Sequence, residues 1–332
     1  MRGKAILGSL AEDLSFFYGL STVLLASVLF VDSVWENPAV ALVVFLLVDS
    51  GHVYTTVFRT YFRRSELQRS RRYVVLPAAL FLLFFTWVYL GRPYLWRFVI
   101  YFTLYHHIRQ YAGVFLWYAR LEDFKVRGEV RHLYALVVIP LLLFHFREVD
   151  YQGLYHASEF EPWGSLAYYD VFFCAFAVYG ASQVLRMFWL FTTEKVGAGL
   201  ALSFVYPVAL HFICFLLLEH SYEIFLPLMA IHGLTYLALI ARSMARLSAP
   251  GARSLYRIWL LILAVVVGFN LLENLVTENF DVFLDSEALR GNWLKALLVS
   301  AMVTPNVLHY VLDSYLWRNG HPDFKAIMAR GD

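Results

Sequence analysis

The sequence has little charge and almost no cysteine. Asp, Glu, Lys and Arg together make up 16% of the 332 residues, whereas soluble domains contain about 25%. The two cysteines, Cys174 and Cys214, both lie within apolar runs. A disulfide-stabilised scaffold and a metal site made of several thiolates are therefore excluded.

Two kinds of segment are also missing. No stretch rich in Pro, Gly or Ser divides the chain, and no small-residue cleavage site follows the first apolar run, residues 14–31. We therefore expect no cleavable signal peptide. The longest predicted loops, near 147–166 and 275–292, are too short for soluble domains. The sequence thus predicts one transmembrane domain over residues 1–332.

Long apolar runs are abundant instead. Hydrophobic residues make up 60% of the chain, and the mean hydropathy is +0.60. A helix of about 20 apolar residues crosses the hydrocarbon core of a bilayer. The sequence predicts an all-α, polytopic transmembrane helix bundle of about ten spans. The predicted spans are residues 14–31, 38–58, 73–91, 95–118, 132–146, 167–191, 198–218, 223–243, 256–274 and 293–316.

The charges in the predicted loops alternate in sign and indicate an orientation. Cytoplasmic loops of membrane proteins are enriched in Lys and Arg. The second loop holds six arginines against the single acid Glu66, whereas the fifth and ninth loops are acidic. The third loop, with Arg92 and Arg97, is the exception. The pattern predicts that both termini lie in the cytoplasm.

Several predicted spans carry polar residues that are costly in a membrane. A charged side chain at the bilayer centre costs about 2.5–3.5 kcal/mol on insertion scales, so it is kept where it is paired or used. Such stripes face the interior of a helix bundle or a cavity. They comprise Asp49 and His52 in the second span, His106, His107, Arg109 and Gln110 in the fourth, His211 in the seventh, His232 in the eighth, and Asn306, His309 and Asp313 in the tenth.

The depth of these histidines suggests that they meet. With the predicted orientation, His52, His106, His232 and His309 lie between the membrane midplane and the inner leaflet, and His211 lies somewhat toward the outside. Histidines from several helices at one depth can share a metal ion. The sequence therefore predicts a metal site with candidate ligands His52, His106, His107, His211, His232 and His309.

The ligand types indicate the chemistry. Neutral imidazole with carboxylate suits iron, zinc or copper, and the absence of thiolates argues against iron–sulfur and blue-copper centres. Asp49 and Asp313 each lie one helical turn from a histidine, so they are either ligands or orient that ring. We take Asp49, Arg109 and Asp313 as candidate catalytic residues. An iron ion with open coordination positions would activate dioxygen against a lipid-soluble substrate.

Other interpretations fit the same residues. A lone histidine in a membrane helix is more often a hydrogen-bond partner of a neighbouring helix, and this holds for His211 and His232 taken singly. Arg109 can neutralise Asp49 or Asp313 in a buried ion pair, or bind an anionic group of a substrate.

Other function classes also fit. Buried Asp, His and Arg residues mark transport and proton pathways, so a proton-coupled carrier is an alternative. A b-haem protein with axial histidines from two helices is another. A lipid-linked glycosyltransferase using Asp32 and Glu36 fits less well, because the polar cluster lies toward the cytoplasm.

The arrangement of His52, His106, His211 and His309, single histidines on different membrane helices, resembles the bacterial Brp/Blh family of carotene-cleaving dioxygenases. These are multi-span proteins that hold one iron through intramembrane histidines. The resemblance implies an iron-dependent oxidation of a carotenoid, another isoprenoid or a lipid in a bacterial inner membrane. The clustered histidine boxes of membrane desaturases are absent. We expect membrane lipid and a hydrophobic small molecule as partners, and no nucleic acid.

Overall fold

The computed structural model describes residues 4–31, 48, 51–147, 159–247, 255–280, 286–318, 320–321 and 324. This part of the chain is helical and contains no β-strand, which confirms the predicted all-α class. We label its helices α1 (Leu10–Phe30), α2 (Gly51–Tyr54), α3 (Arg64–Arg69), α4 (Arg72–Tyr89), α5 (Leu95–Leu121), α6 (Glu129–Phe144), α7 (Tyr169–Thr192), α8 (Ala198–Leu216), α9 (Ser221–Leu247), α10 (Leu255–Phe280) and α11 (Trp293–Leu316).

Two of the helices labelled above depart from regular α-geometry. A π-helical turn, Ser15–Gly19, interrupts α1, and α2 continues as a 3-10 turn, Thr55–Phe58. Proline also lies inside several helices, and each proline lacks the N–H that would bond the carbonyl one turn earlier. In α4, Pro77 leaves the Tyr73 carbonyl without this donor, and the Tyr61 hydroxyl donates to that carbonyl instead at 2.9 Å.

The described helices identify an integral, multi-span membrane protein. Six of them are long and apolar enough to cross a bilayer: Leu10–Phe30, Arg72–Tyr89, Tyr169–Thr192, Ala198–Leu216, Glu223–Arg246 and Trp293–Leu316. They coincide with the first, third, sixth, seventh, eighth and tenth predicted spans.

The other four predicted spans are not among these six helices. The fourth, fifth and ninth coincide with α5, α6 and α10, which do not meet the same criteria of length and composition over their described residues. The second, 38–58, lies mostly outside the described residues. About ten spans, a single domain and cytoplasmic termini stay predictions.

Contacts group the chain into two compact units. The first comprises Met1–Asn37 and Leu104–His232. Within it, α6 packs on α8, and α7 packs on both. The buried Asp13 carboxylate accepts hydrogen bonds from the backbone amides of Ile6 and Leu7, each at 2.7 Å, and from the Tyr118 hydroxyl. These bonds tie the N-terminal segment to α5.

The second unit comprises Pro38–Thr103 and Gly233–Asp332. Within it, α4 packs along α11, and α2 contacts both α10 and α11. One apolar cluster includes Phe58, Tyr236, Ile240 and Ile262, and another includes Tyr73, Leu308, Leu312 and Leu316. Leu308 and Leu312 directly precede His309 and Asp313 in α11. The packing of the second cluster therefore holds in place the helix that carries these two polar residues.

A buried carboxylate marks the first residue of α6, outside the predicted spans. Glu129 accepts hydrogen bonds from the amides of Arg127 (2.7 Å) and Gly128 (3.0 Å) and from the Arg186 guanidinium (2.6 Å). Burial by itself would raise the pKa of Glu129, but these donors outweigh it and lower the pKa to about 2. Glu129 therefore stabilises the fold as a carboxylate.

We expect Glu129→Gln to lower the stability at pH 7 by about 2 kcal/mol, since hydrogen bonds to a charged group are lost. A carboxylate with a lowered pKa stabilises above its unfolded pKa, and that contribution is lost as the pH falls through the folded pKa. The difference between wild type and variant should thus be full above about pH 5 and vanish near pH 2. Thermal unfolding in detergent from pH 7 to pH 2 measures it. Glu287→Gln, at an exposed position, is the control, and an equal effect of both variants would contradict the assignment.

Candidate metal centre

Two histidines from distant parts of the sequence meet in the second unit. His52 of α2 and His309 of α11 are each 1% exposed, and their ring centroids are 4.9 Å apart. The ring of Tyr236, on α9, lies 5.6 Å from His52 and 4.6 Å from His309. The possible ligand atoms of the two histidines lie within 4.8 Å of each other.

A backbone carbonyl sets the tautomer of His52. The His52 Nδ1 atom lies 2.9 Å from the Val48 carbonyl oxygen, one helical turn earlier. A carbonyl oxygen only accepts hydrogen bonds, so Nδ1 carries the proton and donates it. Nε2 of His52 is then the nitrogen with the lone pair, as metal coordination requires.

A chain of three hydrogen bonds sets the tautomer of His309. The Tyr236 hydroxyl donates to Asp313 Oδ1 at 3.0 Å, so the Tyr236 oxygen can only accept from the Thr56 hydroxyl, 3.0 Å away. The Thr56 hydroxyl has one proton and donates it in the hydrogen bond to Tyr236. Its oxygen therefore accepts from His309 Nδ1, at 2.6 Å, and Nε2 of His309 also carries the lone pair.

A buried carboxylate, that of Asp313, lies near His309. Its second oxygen, Oδ2, lies 3.8 Å from Nε2 of His309, which is too long for a hydrogen bond. Imidazole nitrogen and carboxylate oxygen are donor types found in many non-haem iron sites. His52 and His309, and likewise His309 and Asp313, belong to groups of buried histidine and aspartate side chains that can hold a metal ion.

The structure also shows which residue orients each ring. The sequence is consistent with Asp49 and Asp313 as either ligands or orienting partners. Thr56, rather than Asp313, contacts Nδ1 of His309, and the Val48 carbonyl contacts Nδ1 of His52. Asp49 lies outside the described residues.

A second group of histidines lies in the first unit. The His232 ring stacks on His107 with centroids 3.9 Å apart, and it meets His106 edge-on at 4.9 Å. The Gln110 side chain donates to the His232 carbonyl at 3.2 Å, so its amide oxygen faces His232 Nδ1 at 2.9 Å. His232 thus donates from Nδ1 and keeps the lone pair on Nε2, like the two histidines of the second unit.

The structure places the last two described candidates elsewhere in the first unit. His211 donates from Nδ1 to the Pro207 carbonyl at 2.9 Å, and its ring packs on Tyr111 and Phe215. Arg109 is exposed and donates to the Tyr134 hydroxyl at 2.8 Å. The convergence of all six histidines on one ion and the catalytic roles of Asp49, Arg109 and Asp313 stay predictions.

The residues that surround His309 were not predicted from the sequence. Thr56 follows His52 by four residues, and Tyr236 follows His232 by four, so the helical spacing could have identified both. Arg59 was assigned to a cytoplasmic loop, but its side chain is 1% exposed and lies over the Trp317 ring at 4.4 Å. A loop assignment based on charge alone could not show this burial.

The fold and the site define a helical, multi-span membrane protein with buried histidine and aspartate groups that can hold a metal ion. No protein-family model matches the chain, and neither a curated protein nor a solved structure does. The resemblance to the Brp/Blh family stays a prediction.

Proposed function

We propose that the chain is an integral membrane metalloenzyme of the bacterial inner membrane, which holds iron and oxidises a hydrophobic substrate such as a carotenoid, another isoprenoid or a lipid. One observation carries the proposal. His52 and His309 donate from Nδ1 to protein acceptors and keep the lone pair on Nε2, and possible ligand atoms of the two rings lie within 4.8 Å of each other. Ligand histidines in metalloproteins show this division between their two ring nitrogens.

An apolar cavity beside the site supports a hydrophobic substrate. It has a volume of about 680 Å³, and His309 and Thr56 form part of its wall. Cavities of 300–1,000 Å³ hold small-molecule ligands. Several wall residues are exposed on the outside of the helices, among them Ala78, Leu82 and Ala301, so a ligand would enter from the lipid.

The chain itself would orient the histidine rings, keep water away from the site and provide a path for protons. Iron bound there would supply the electron-transfer chemistry that activates dioxygen. Val48 and Thr56 hold the rings of His52 and His309 in fixed tautomers. The apolar wall excludes water, and the Thr56 and Tyr236 hydroxyls connect Nδ1 of His309 with Oδ1 of Asp313.

A proton-coupled carrier is the second candidate function. The same chain of hydrogen bonds favours it, because hydroxyl groups between a histidine and a carboxylate can pass a proton along. Under this alternative His309 and Asp313 would gain and lose protons during transport, and the purified protein would hold no metal.

The first experiment is elemental analysis and an optical spectrum of the detergent-purified protein. We expect near-stoichiometric iron in the wild type and its loss in His52→Ala and His309→Ala, since each variant removes one imidazole ligand. His106→Ala and His232→Ala test whether the other predicted ligands also bind the ion. His145→Ala is the matched control, because His145 is equally buried and donates to the Glu161 carbonyl instead.

The possible results separate the alternatives. Zinc in place of iron would keep the metal site and remove the oxidative chemistry. A Soret band would indicate haem b. A folded protein without metal would contradict the proposed function and favour the carrier.

A further inference from the structure

Two arginines lie over one aromatic ring where two of the membrane spans end. Arg72 is the first residue of the span Arg72–Tyr89, and Arg318 lies two residues after the span Trp293–Leu316. The Arg72 guanidinium is 4.6 Å from the centre of the Tyr315 ring, and the Arg318 guanidinium is 5.0 Å from it. The ends of membrane helices lie at the level of the lipid headgroups, so the arginine pair lies there too.

The charge of this pair is not balanced by an acid. Nearby, Arg69 is paired with the Glu66 carboxylate at 2.5 Å. No carboxylate pairs with Arg72 or Arg318 in the part of the chain that the structure describes, and both side chains belong to exposed residues. The two guanidinium groups lie within about 10 Å of each other, about one Debye length at 0.1 M ionic strength. An anion bound beside them would reduce their mutual repulsion.

Helix stability does not explain the position of Arg72. The N-terminus of a helix carries a partial positive charge, so basic side chains are unfavourable there. Arg72 begins α4, Arg71 directly precedes it, and the first turn contains no acid. A basic residue anywhere in the preceding loop would serve the orientation of the chain in the membrane equally well. The placement of Arg72 over the Tyr315 ring therefore needs another reason.

An apolar surface continues from the pair along α4. Val75 lies three residues after Arg72, on the same side of the helix. Val74 and Val75 are 68% and 59% exposed, and α4 contains no charged residue after Arg72. A soluble anion such as inorganic phosphate would gain nothing from this surface, whereas the acyl chains of a phospholipid would cover it.

We propose that Arg72 and Arg318 bind the phosphate group of an anionic phospholipid, whose acyl chains lie along the first turns of α4. Arginine suits this ligand, because its planar guanidinium can donate two parallel hydrogen bonds to phosphate oxygens. The Tyr315 ring holds both guanidinium groups by cation–π attraction. This inference goes beyond the proposed function and does not depend on a bound metal.

The test uses the full chain in nanodiscs of phosphatidylcholine. They contain a trace of phosphatidylglycerol that carries a diazirine near the start of one acyl chain, or phosphatidylcholine with the same label. We expect the labelled phosphatidylglycerol to crosslink to the first turns of α4 and the last turn of α11, at least tenfold more than the labelled phosphatidylcholine. Each arginine near an anionic lipid strengthens binding by about fivefold. Crosslinking should thus fall roughly tenfold or more in the double variant Arg72→Gln with Arg318→Gln.

Two further variants separate the site from general charge. Arg127→Gln with Arg131→Gln is the matched control, because it removes the same charge from two exposed arginines near the start of α6. Tyr315→Leu keeps both arginines, removes the ring that holds them and should reduce crosslinking severalfold.

Several results would overturn the inference. They are equal crosslinking of the two labelled lipids, an equal loss in the two double variants, and full crosslinking in Tyr315→Leu, which would mean that charge alone attracts the lipid. Displacement of the labelled phosphatidylglycerol by millimolar inorganic phosphate at constant ionic strength would show a site for soluble anions instead. Iron bound by a protein that fails this test would leave the proposed function standing.

Discussion

Gly233→Ala is expected to destabilise the protein by about 3 kcal/mol and to lower its iron content, because the added methyl group has no space. A Cβ atom at Gly233 would lie 2.3 Å from the Val48 carbonyl oxygen and 2.8 Å from Val48 Cγ1. Helix α9 thus lies close to the Val48 carbonyl, which accepts the hydrogen bond from His52 Nδ1. To admit the methyl group, Val48 must shift and the His52 ring must turn with it.

The measurement is thermal unfolding in detergent, followed by tryptophan fluorescence, together with iron analysis. Gly268→Ala is the matched control, since Gly268 also lies in a helix of the second unit and a Cβ there meets nothing within 4 Å. That variant should be up to about 1 kcal/mol more stable, because alanine favours the helix more than glycine does. An unfolding midpoint of Gly233→Ala at or above that of Gly268→Ala would show that α9 does not hold Val48 in place.

The sequence predicts much of the fold, because a single segment that crosses lipid satisfies its own backbone groups only as a helix. Each such helix needs a run of about 20 apolar residues to span the hydrocarbon core. Six predicted spans coincide with helices of sufficient length and hydropathy. The fourth predicted span fails the hydropathy criterion over α5, which carries His106, His107 and Gln110. The polar residues that indicate a site thus weaken the signal for the span that carries them.

The candidate site could be predicted only in part. His52 and His309 were identified as polar positions in apolar helices, and the His52–Val48 bond follows from their spacing of four residues in a helix. The Thr56–His309 bond joins residues 253 positions apart. No helical period relates such positions, so this partner could not be predicted without knowing how the two helices pack.

The tautomer of a histidine does not by itself identify a ligand. His211 donates from Nδ1 to the carbonyl four residues earlier, as His52 does. In the first unit, however, its ring packs on Tyr111 and Phe215, whereas His52 faces His309. A metal site requires both the tautomer and a second donor within reach. On this ground we place His52 and His309, rather than His211, in the proposed site.

Thr56→Val is expected to weaken iron binding by about 10- to 100-fold, the usual effect of removing the partner of a ligand histidine. Valine has nearly the shape of threonine but cannot accept a hydrogen bond from His309 Nδ1. The proton can then move to Nε2, and the tautomer without a lone pair at that nitrogen cannot bind the ion. Titration of the metal-free protein with Fe²⁺ under anaerobic conditions measures the change in affinity.

Two matched variants test the mechanism of this loss. Thr56→Ser keeps the hydroxyl and should bind iron nearly as well as the wild type. Thr55→Val removes a neighbouring buried hydroxyl that donates to the His52 carbonyl, and it should leave the affinity for iron within a few fold of the wild type. Equal losses in Thr55→Val and Thr56→Val would mean that packing, rather than the proton on His309, controls binding. Loss confined to Thr56→Val would show that the hydrogen-bond chain from Asp313 through Tyr236 keeps the lone pair on Nε2, where the ion would bind.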